Sequence, residues 1–113
     1  MRLYCMVNKL KPERIADYRR YHETAHQTEW VIELAALRRA GAHVCNVYLF
    51  GDCSILLIGC ESPDAFFENL ARDEDHVKWQ ELMADFFAES SEFVTLEKVF
   101  DLNEQAAGYL NKS

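Results

Sequence analysis

Apolar positions along the chain change their spacing from segment to segment, and this predicts an alternation of strands and helices. The short, β-prone run Arg2–Asn8 is typical of a first strand. Over Pro12–Ala40, apolar and aromatic residues recur every three or four positions, which indicates a helical region. Gly41 is expected just beyond its end. Thr28 is suited to cap a second helix, so we expect a kink near Gln27.

The second half of the chain repeats the pattern. The apolar runs His43–Phe50 and Cys53–Cys60 flank Gly51-Asp52, and together they predict a β-hairpin. A helix is expected to begin at Ser62-Pro63-Asp64, with the serine as N-cap and the proline at the first helical position. A further helical stretch follows the acidic residues 73–75.

Residues 93–102 alternate well enough between apolar and polar to predict a fourth strand. The resulting order βαββαβ predicts an α+β fold, a ferredoxin-like sandwich with helices on one face of the sheet. The other face would remain apolar and uncovered, and a homodimer packed sheet to sheet would bury it. We predict one domain over residues 1–102, followed by a polar C-terminal tail over residues 103–113.

Composition and net charge limit the classes of partner and the cellular location that we expect for the protein. The chain has 113 residues, half of them hydrophobic, as expected for one packed domain. A net charge of −7 argues against nucleic acid or an anionic membrane as partner. No apolar run approaches transmembrane length, so a cytoplasmic protein is expected. The four cysteines form no Cys-x-x-Cys pair, and we expect free, buried thiols.

Candidate chemistry concentrates in the first helical region. Tyr18, His22 and His26 stand four residues apart, so in a helix each is turned by only about 40° from the last and all three share a face. Imidazole exchanges protons near neutral pH, and a tyrosine hydroxyl one turn away can orient a hydroxyl or relay a proton. The same spacing also occurs on ordinary exposed helices.

Two further interpretations stay open, one for a histidine pair and one for a tryptophan. His22 and His26 could hold a metal with Glu29 or Glu33, but the sequence fixes no complete ligand set, and we predict no metal. Trp79 is suited either to the apolar face of a sugar ring or to core packing.

Several features in a fixed order resemble the L-rhamnose mutarotase family, including the related L-fucose-type mutarotases. The likeness runs from about residue 1 to residue 102. The features are Tyr18-x-x-x-His22, a following tryptophan, the segment Leu37–Ala42, the hydrophobic hairpin, Trp79 with Met83, and the closing segment Leu96–Leu102.

This resemblance implies a dimeric α/β-barrel that uses neither metal nor cofactor. Such enzymes interconvert the α and β anomers of a 6-deoxy-sugar pyranose. His22 matches the proton-donating histidine of the family, and Tyr18 matches its substrate-binding tyrosine. Trp79 matches the first tryptophan of a pair in the sugar site. We expect Gln80 and Asn46 to hydrogen-bond sugar hydroxyls.

The chain departs from the family pattern at three places. Gln80 stands where the second tryptophan is expected, and Cys45 stands where a substrate-contacting tyrosine is expected on the second strand. Trp30 lies eight residues after His22 instead of four, which indicates an insertion of about one helical turn. If the insertion precedes the histidine, His26 inherits the catalytic role. The departures leave the sugar open.

Two rival functions share the expected architecture. Small monooxygenases and haem-degrading enzymes use the same barrel, with Asn, Trp and His around an apolar pocket, and Asn8, His76 and Trp79 would suit that chemistry. A non-catalytic, dimeric ligand-binding module is the other. We expect an isomerase acting on a neutral monosaccharide by histidine acid–base catalysis.

Overall fold

In the computed structural model, which describes residues 1–110, four antiparallel strands form one sheet in the order β2-β3-β1-β4. The tail was predicted over residues 103–113, and its last three residues, 111–113, lie outside the described residues. The first three predicted strands are confirmed to within one residue at each end. The strands are β1 Arg2–Lys9, β2 Val44–Phe50, β3 Cys53–Cys60 and β4 Val94–Thr95.

Helices occupy both crossovers of the sheet, which confirms the predicted ferredoxin-like order. Two α-helices lie between β1 and β2, and two lie between β3 and β4. A fifth follows β4. The helices are α1 Ile15–Glu23, α2 Val31–Ala40, α3 Pro63–Arg72, α4 Glu74–Ala84 and α5 Leu102–Leu110.

Local sequence signals set most of these boundaries. The Ser62 hydroxyl accepts a hydrogen bond from the Ala65 amide at 3.4 Å, and Pro63 is the first residue of α3, as predicted. Gly41 ends α2 with a φ of 111°, a conformation that L side chains disfavour. Gly51 occupies the hairpin turn with a φ of 58°.

The predicted kink between the first two helices is a full interruption. Helix α1 ends at Glu23, a 3₁₀ turn spans Ala25–Gln27, and α2 begins at Val31. The Thr28 hydroxyl accepts a hydrogen bond from the Trp30 amide at 3.2 Å, which satisfies a backbone group at the start of α2. The predicted helical face shared by three proton-transfer groups is therefore wrong for its third member, His26, which lies in the 3₁₀ turn.

The predicted fourth strand over residues 93–102 is wrong beyond Thr95. Only Val94 and Thr95 are paired with β1 as a strand. Further on, Lys98 forms ion pairs with Asp101 at 3.0 Å and with Glu104 at 3.2 Å, and the Asp101 carboxylate accepts from the Glu104 amide at 2.9 Å. These local bonds cap α5 and compete with continued strand pairing.

The predicted tail thus contains helix α5, which makes no extensive contact with another element among residues 1–110. Val99 is 83% exposed and Phe100 is 63% exposed. The radius of gyration is 16.0 Å, compared with about 13 Å for a compact domain of this length. Residues 96–110, hereafter the C-terminal arm, therefore lie outside the core.

The core lies between the sheet and the helices and has two clusters. One is built around Ile58, Phe66 and Leu70, and the other around Tyr18 and Phe86. No helix within the described part of the chain is long and apolar enough to cross a membrane.

The opposite face of the sheet is uncovered, as the sequence predicts. It exposes Leu3, Tyr48 and Phe50, the last with 78% of its surface open to solvent. Cys5 and Cys53 also belong to this face, because they alternate with residues that point to the helices. All four cysteines are free thiols; Cys60 is buried, whereas the other three are half-buried.

Candidate active site

A cavity of about 560 Å³ lies between the helices and the sheet. Its walls come from α1, the 3₁₀ turn, α2, α3, α4 and the three longer strands. Apolar side chains form most of the surface. All six residues that the sequence singles out as site residues border it, although their roles stay predictions: Tyr18, His22, His26, Cys45, Trp79 and Gln80.

His22 has a fixed tautomer when it is neutral. Its Nδ1 lies 2.8 Å from the Tyr18 carbonyl oxygen, and because a carbonyl only accepts, Nδ1 carries the hydrogen. The lone pair is then on Nε2, for which residues 1–110 provide no hydrogen-bond partner. Burial lowers the pKa of His22, while the bond to Tyr18 partly opposes this. A neutral imidazole with a free lone pair is a competent proton acceptor.

The Tyr18 hydroxyl lies 2.7 Å from the hydroxyl of Ser54, and Tyr18 also borders the cavity. Both side chains are buried. Burial raises the pKa of Tyr18, so the phenol keeps its proton at neutral pH. The Tyr18 ring also stacks at a tilt on His22, with centroids 4.2 Å apart. Ser54 was not predicted as a site residue, and its only signal in the sequence is a hydroxyl within an otherwise apolar strand.

His26 and Cys45 contribute very different surfaces to the cavity. His26 is exposed at its rim on the 3₁₀ turn. Cys45 enters from β2, and burial, with a smaller contribution from the charge of Glu33, raises the pKa of its thiol to about 11. The thiol is therefore neutral at physiological pH and presents a small, weakly polar group.

Trp79 is both a core residue and part of the cavity wall. It packs edge-on against His22 at 5.2 Å and against Trp30 at 5.5 Å between ring centroids. Helix α4 presents it toward α1 together with Met83. The two interpretations of this tryptophan are thus compatible, because one side packs while another borders the cavity.

A hydrogen-bonded network that sequence analysis did not assemble joins Glu33, His76 and Gln80 in the same wall. His76 Nδ1 lies 2.8 Å and 3.1 Å from the two carboxylate oxygens of Glu33, and its Nε2 lies 2.9 Å from the Gln80 amide nitrogen. Glu33 is 5% exposed and His76 is 8% exposed. Burial raises the pKa of Glu33, whereas the bond to His76 opposes that shift.

Other candidates lie elsewhere. The expectation that Asn46 binds sugar hydroxyls is wrong, because it lies on the uncovered face and donates to the Tyr48 hydroxyl at 3.3 Å. Asn8 is buried, and its side-chain oxygen accepts from the Lys9 amide at 2.8 Å. Within residues 1–110, no three His, Cys, Asp or Glu side chains come together as a metal site.

These features define a class: a ferredoxin-like α+β domain with a mainly apolar cavity and an imidazole set up for proton transfer. A family model for L-rhamnose mutarotase matches residues 3–102. The chain belongs to the L-rhamnose mutarotase family, and membership implies an isomerase.

Solved structures share the fold. The L-rhamnose mutarotase of Formosa agariphila superposes with a TM-score of 0.70 at 19% identity, covering 89% of this chain and 98% of that one. A protein provisionally described as an antibiotic biosynthesis monooxygenase, from Bordetella bronchiseptica, gives 0.64 at 19% identity, covering 87% and 96%. Tetracenomycin F2 cyclase from Streptomyces glaucescens gives 0.53 at 17%, covering 89% and 96%.

At these identities, the structural similarities establish the architecture, and the family match favours the mutarotase over the monooxygenase prediction. Among curated proteins, no sequence matches the chain at a significant level.

Proposed function

We propose that this protein interconverts the α and β anomers of a 6-deoxy-hexopyranose such as L-rhamnose or L-fucose. The observation that carries the proposal is the His22 ring, which is held in one tautomer at the cavity of an L-rhamnose mutarotase family member and whose Nε2 has no hydrogen-bond partner within residues 1–110. An aldose exchanges anomers through its open chain, so the reaction needs one proton acceptor and one proton donor near the anomeric carbon.

In the proposed reaction, His22 Nε2 takes the proton of the anomeric hydroxyl as the bond from C1 to the ring oxygen breaks. The ring oxygen gains a proton from the Tyr18 hydroxyl, or from a water held by Tyr18 or His26. Rotation about C1–C2 and reclosure by the reverse transfers give the other anomer. No proton is consumed overall, and the acid and base exchange roles between the two directions.

The cavity wall suits this class of sugar. A 6-deoxy sugar has a methyl group and a C–H face, which side chains such as Leu34, Leu37 and Val77 can cover. We assign Trp79 to the apolar face of the ring, and Cys45 and Gln80 to the sugar's periphery. The polar side chains that border the same cavity would hydrogen-bond the hydroxyl groups of the sugar.

Saturation-transfer NMR between the two anomers tests the reaction directly. We expect purified protein to accelerate exchange of L-rhamnose or L-fucose well above the buffer rate, with D-glucose as a comparison sugar. An exchange rate equal to that of buffer for both 6-deoxy sugars would rule the function out.

We also propose that the active form is a homodimer. The uncovered sheet face exposes Tyr48 and Phe50, and the C-terminal arm carries Val99 and Phe100, which residues 1–110 leave mostly exposed. A second copy packed against this face would bury both sets, as in the dimeric barrels that the chain resembles.

Sedimentation velocity tests the assembly. We expect a species with twice the 13.2 kDa chain mass, and we expect Phe50→Glu to shift it toward the monomer. Val31→Glu, an exposed apolar position on α2, serves as the matched control and should leave the dimer intact. A wild-type chain that stays monomeric at micromolar concentration would contradict the proposal.

A cytoplasmic location is a further proposal. It is supported by four free thiols, which persist in a reducing compartment. Cell fractionation with an antibody to the chain would test it, and recovery in an oxidising compartment would contradict it.

A further inference from the structure

We propose that Glu33, His76 and Gln80 form one positioning unit that fixes the Gln80 amide as the hydroxyl-binding group of the cavity. This inference rests on the proposed function in one respect only, namely that the ligand is a neutral sugar.

The direction of each hydrogen bond follows from the Glu33 carboxylate. An ionised carboxylate only accepts, so His76 Nδ1 carries the hydrogen that both carboxylate oxygens share at 2.8 Å and 3.1 Å. A neutral imidazole protonated at Nδ1 has its lone pair at Nε2. That lone pair accepts from the Gln80 amide nitrogen at 2.9 Å.

Gln80 is thereby held with a defined polarity. One amide N–H is directed to His76, which leaves the second N–H and the side-chain oxygen for a ligand. The side chain is exposed, although its partner imidazole is buried, because Gln80 lies one helical turn after His76 on α4. An adjacent donor and acceptor on a rigid plane match two neighbouring hydroxyls of a sugar.

Hydrogen bonds tie together the two helices that carry the network. The Asp73 carboxylate caps α4 by accepting from the amides of Asp75 at 3.0 Å and His76 at 3.4 Å. It also binds the Arg39 side chain through two bonds of 3.1 Å, which ties the end of α2 to the start of α4. Glu33 on α2 therefore meets His76 on α4 in a fixed geometry.

Stability alone does not account for this arrangement. Burying a carboxylate is costly, and a buried ion pair or hydrogen-bonded pair adds little net stability compared with apolar residues of similar size. Here the pair borders a cavity that is otherwise mainly apolar. A polar network that ends on an exposed amide at that cavity is suited to binding a polar ligand.

Sugar affinity provides the first test. We would titrate L-rhamnose into the wild-type protein, Gln80→Leu and Glu33→Gln, measure Kd by ligand-observed NMR, and measure anomer exchange in parallel. Gln80→Leu removes about two hydrogen bonds to the sugar, so we expect Kd to rise by roughly five- to a hundredfold. Gln27→Leu, on the 3₁₀ turn, is the matched control and should bind normally.

Glu33→Gln tests positioning, because it leaves Gln80 in place. The amide of the variant can offer either its oxygen or its nitrogen to His76 Nδ1, so the imidazole is no longer held in one tautomer and the Gln80 amide is no longer held in one orientation. We expect weaker sugar binding, and imidazole ¹⁵N NMR at pH 8 should report His76 protonated at Nδ1 in the wild-type protein and a mixture of the two tautomers in the variant. A merely structural pair would change the melting temperature without changing Kd.

The outcomes separate this inference from the proposed function. If the wild-type protein binds L-rhamnose without accelerating exchange, and Gln80→Leu weakens that binding, the positioning unit stands and the mutarotase function falls. If exchange is accelerated and Gln80→Leu has the wild-type Kd, the unit falls alone. A wild-type His76 protonated at Nε2, or no sugar binding by the wild-type protein, would also overturn the unit.

Discussion

Replacing His22 by alanine should abolish most of the catalytic rate while the neighbouring His26 tolerates the same change. A positioned general acid–base group contributes about 10²–10⁴-fold to a rate, which corresponds to about 3–5 kcal/mol of transition-state stabilisation. His22 has the features for such a contribution: a half-buried ring, a tautomer fixed by the 2.8 Å bond to Tyr18, and an Nε2 without a hydrogen-bond partner in the described part of the chain. His26 is exposed on a 3₁₀ turn, so His26→Ala should lower kcat less than about threefold.

The assay is anomer exchange of L-rhamnose by saturation-transfer NMR, with the buffer rate subtracted for each variant. His22 also packs on Tyr18 and Trp79, so thermal melts must show that His22→Ala is folded before its rate is interpreted. His22→Gln keeps more of the packing and should lose a similar amount of activity. A folded His22→Ala variant with the wild-type rate, paired with an inactive His26→Ala, would reverse the assignment.

The pH dependence gives an independent check on His22. Because burial lowers its pKa below the ordinary 6.5, the neutral base persists into mildly acidic solution. We expect kcat/KM to be flat from pH 8 to about 6.5 and to fall only below it. For stability, the unfolded state binds more protons between the two pKa values, so His22 contributes stability above its unfolded pKa that is lost as pH falls through its folded pKa. A kinetic midpoint above 6.5 would refute this reasoning.

Three other changes have defined outcomes. Alkylation of the Cys45 thiol by iodoacetamide, measured by mass spectrometry, should have a pH midpoint near 11 in the folded protein. A midpoint near 9.0 would mean that the thiol is not desolvated. Phe86→Ala should lower the free energy of unfolding in urea by about 3–5 kcal/mol, since Phe86 is fully buried; a loss below about 1 kcal/mol would contradict its place in the core. Gly41→Ala should cost about 1–3 kcal/mol in the same titration, because φ there is 111°, and Ala35→Gly within α2 provides a comparison of about 1 kcal/mol.

Much of the fold is predictable because its signals are local. A cap such as Ser62, a C-terminal Gly41 and the hairpin turn at Gly51 each act within a few residues. The prediction of a fourth strand over residues 93–102 was wrong beyond Thr95, although the apolar and polar residues there do alternate. Ion pairs of Lys98 with Asp101 and Glu104 favour the start of α5 instead. Apolar alternation predicts a strand only where a neighbouring strand and a core are available to it.

The site was predictable only in part. Choosing between Cys45 and Asn46 requires knowing which side of β2 faces the helices, and apolar residues occupy both alternating sets in that strand. The pairing of Glu33 with His76 joins residues 43 positions apart, so it depends on how α2 packs against α4. The pairing of Tyr18 with His22 could be predicted because a single helical turn separates the two residues.

The C-terminal arm has a consequence for the order in which the protein folds and associates. Residues 96–110 leave the ribosome after the sheet and its four covering helices, and they contribute little to the core. The core of the body therefore forms without Val99 and Phe100. Any burial of the arm by a second copy would come afterwards as a separate, bimolecular step. Thermal stability would then rise with protein concentration by mass action, and dilution would reveal how much of it the second copy supplies.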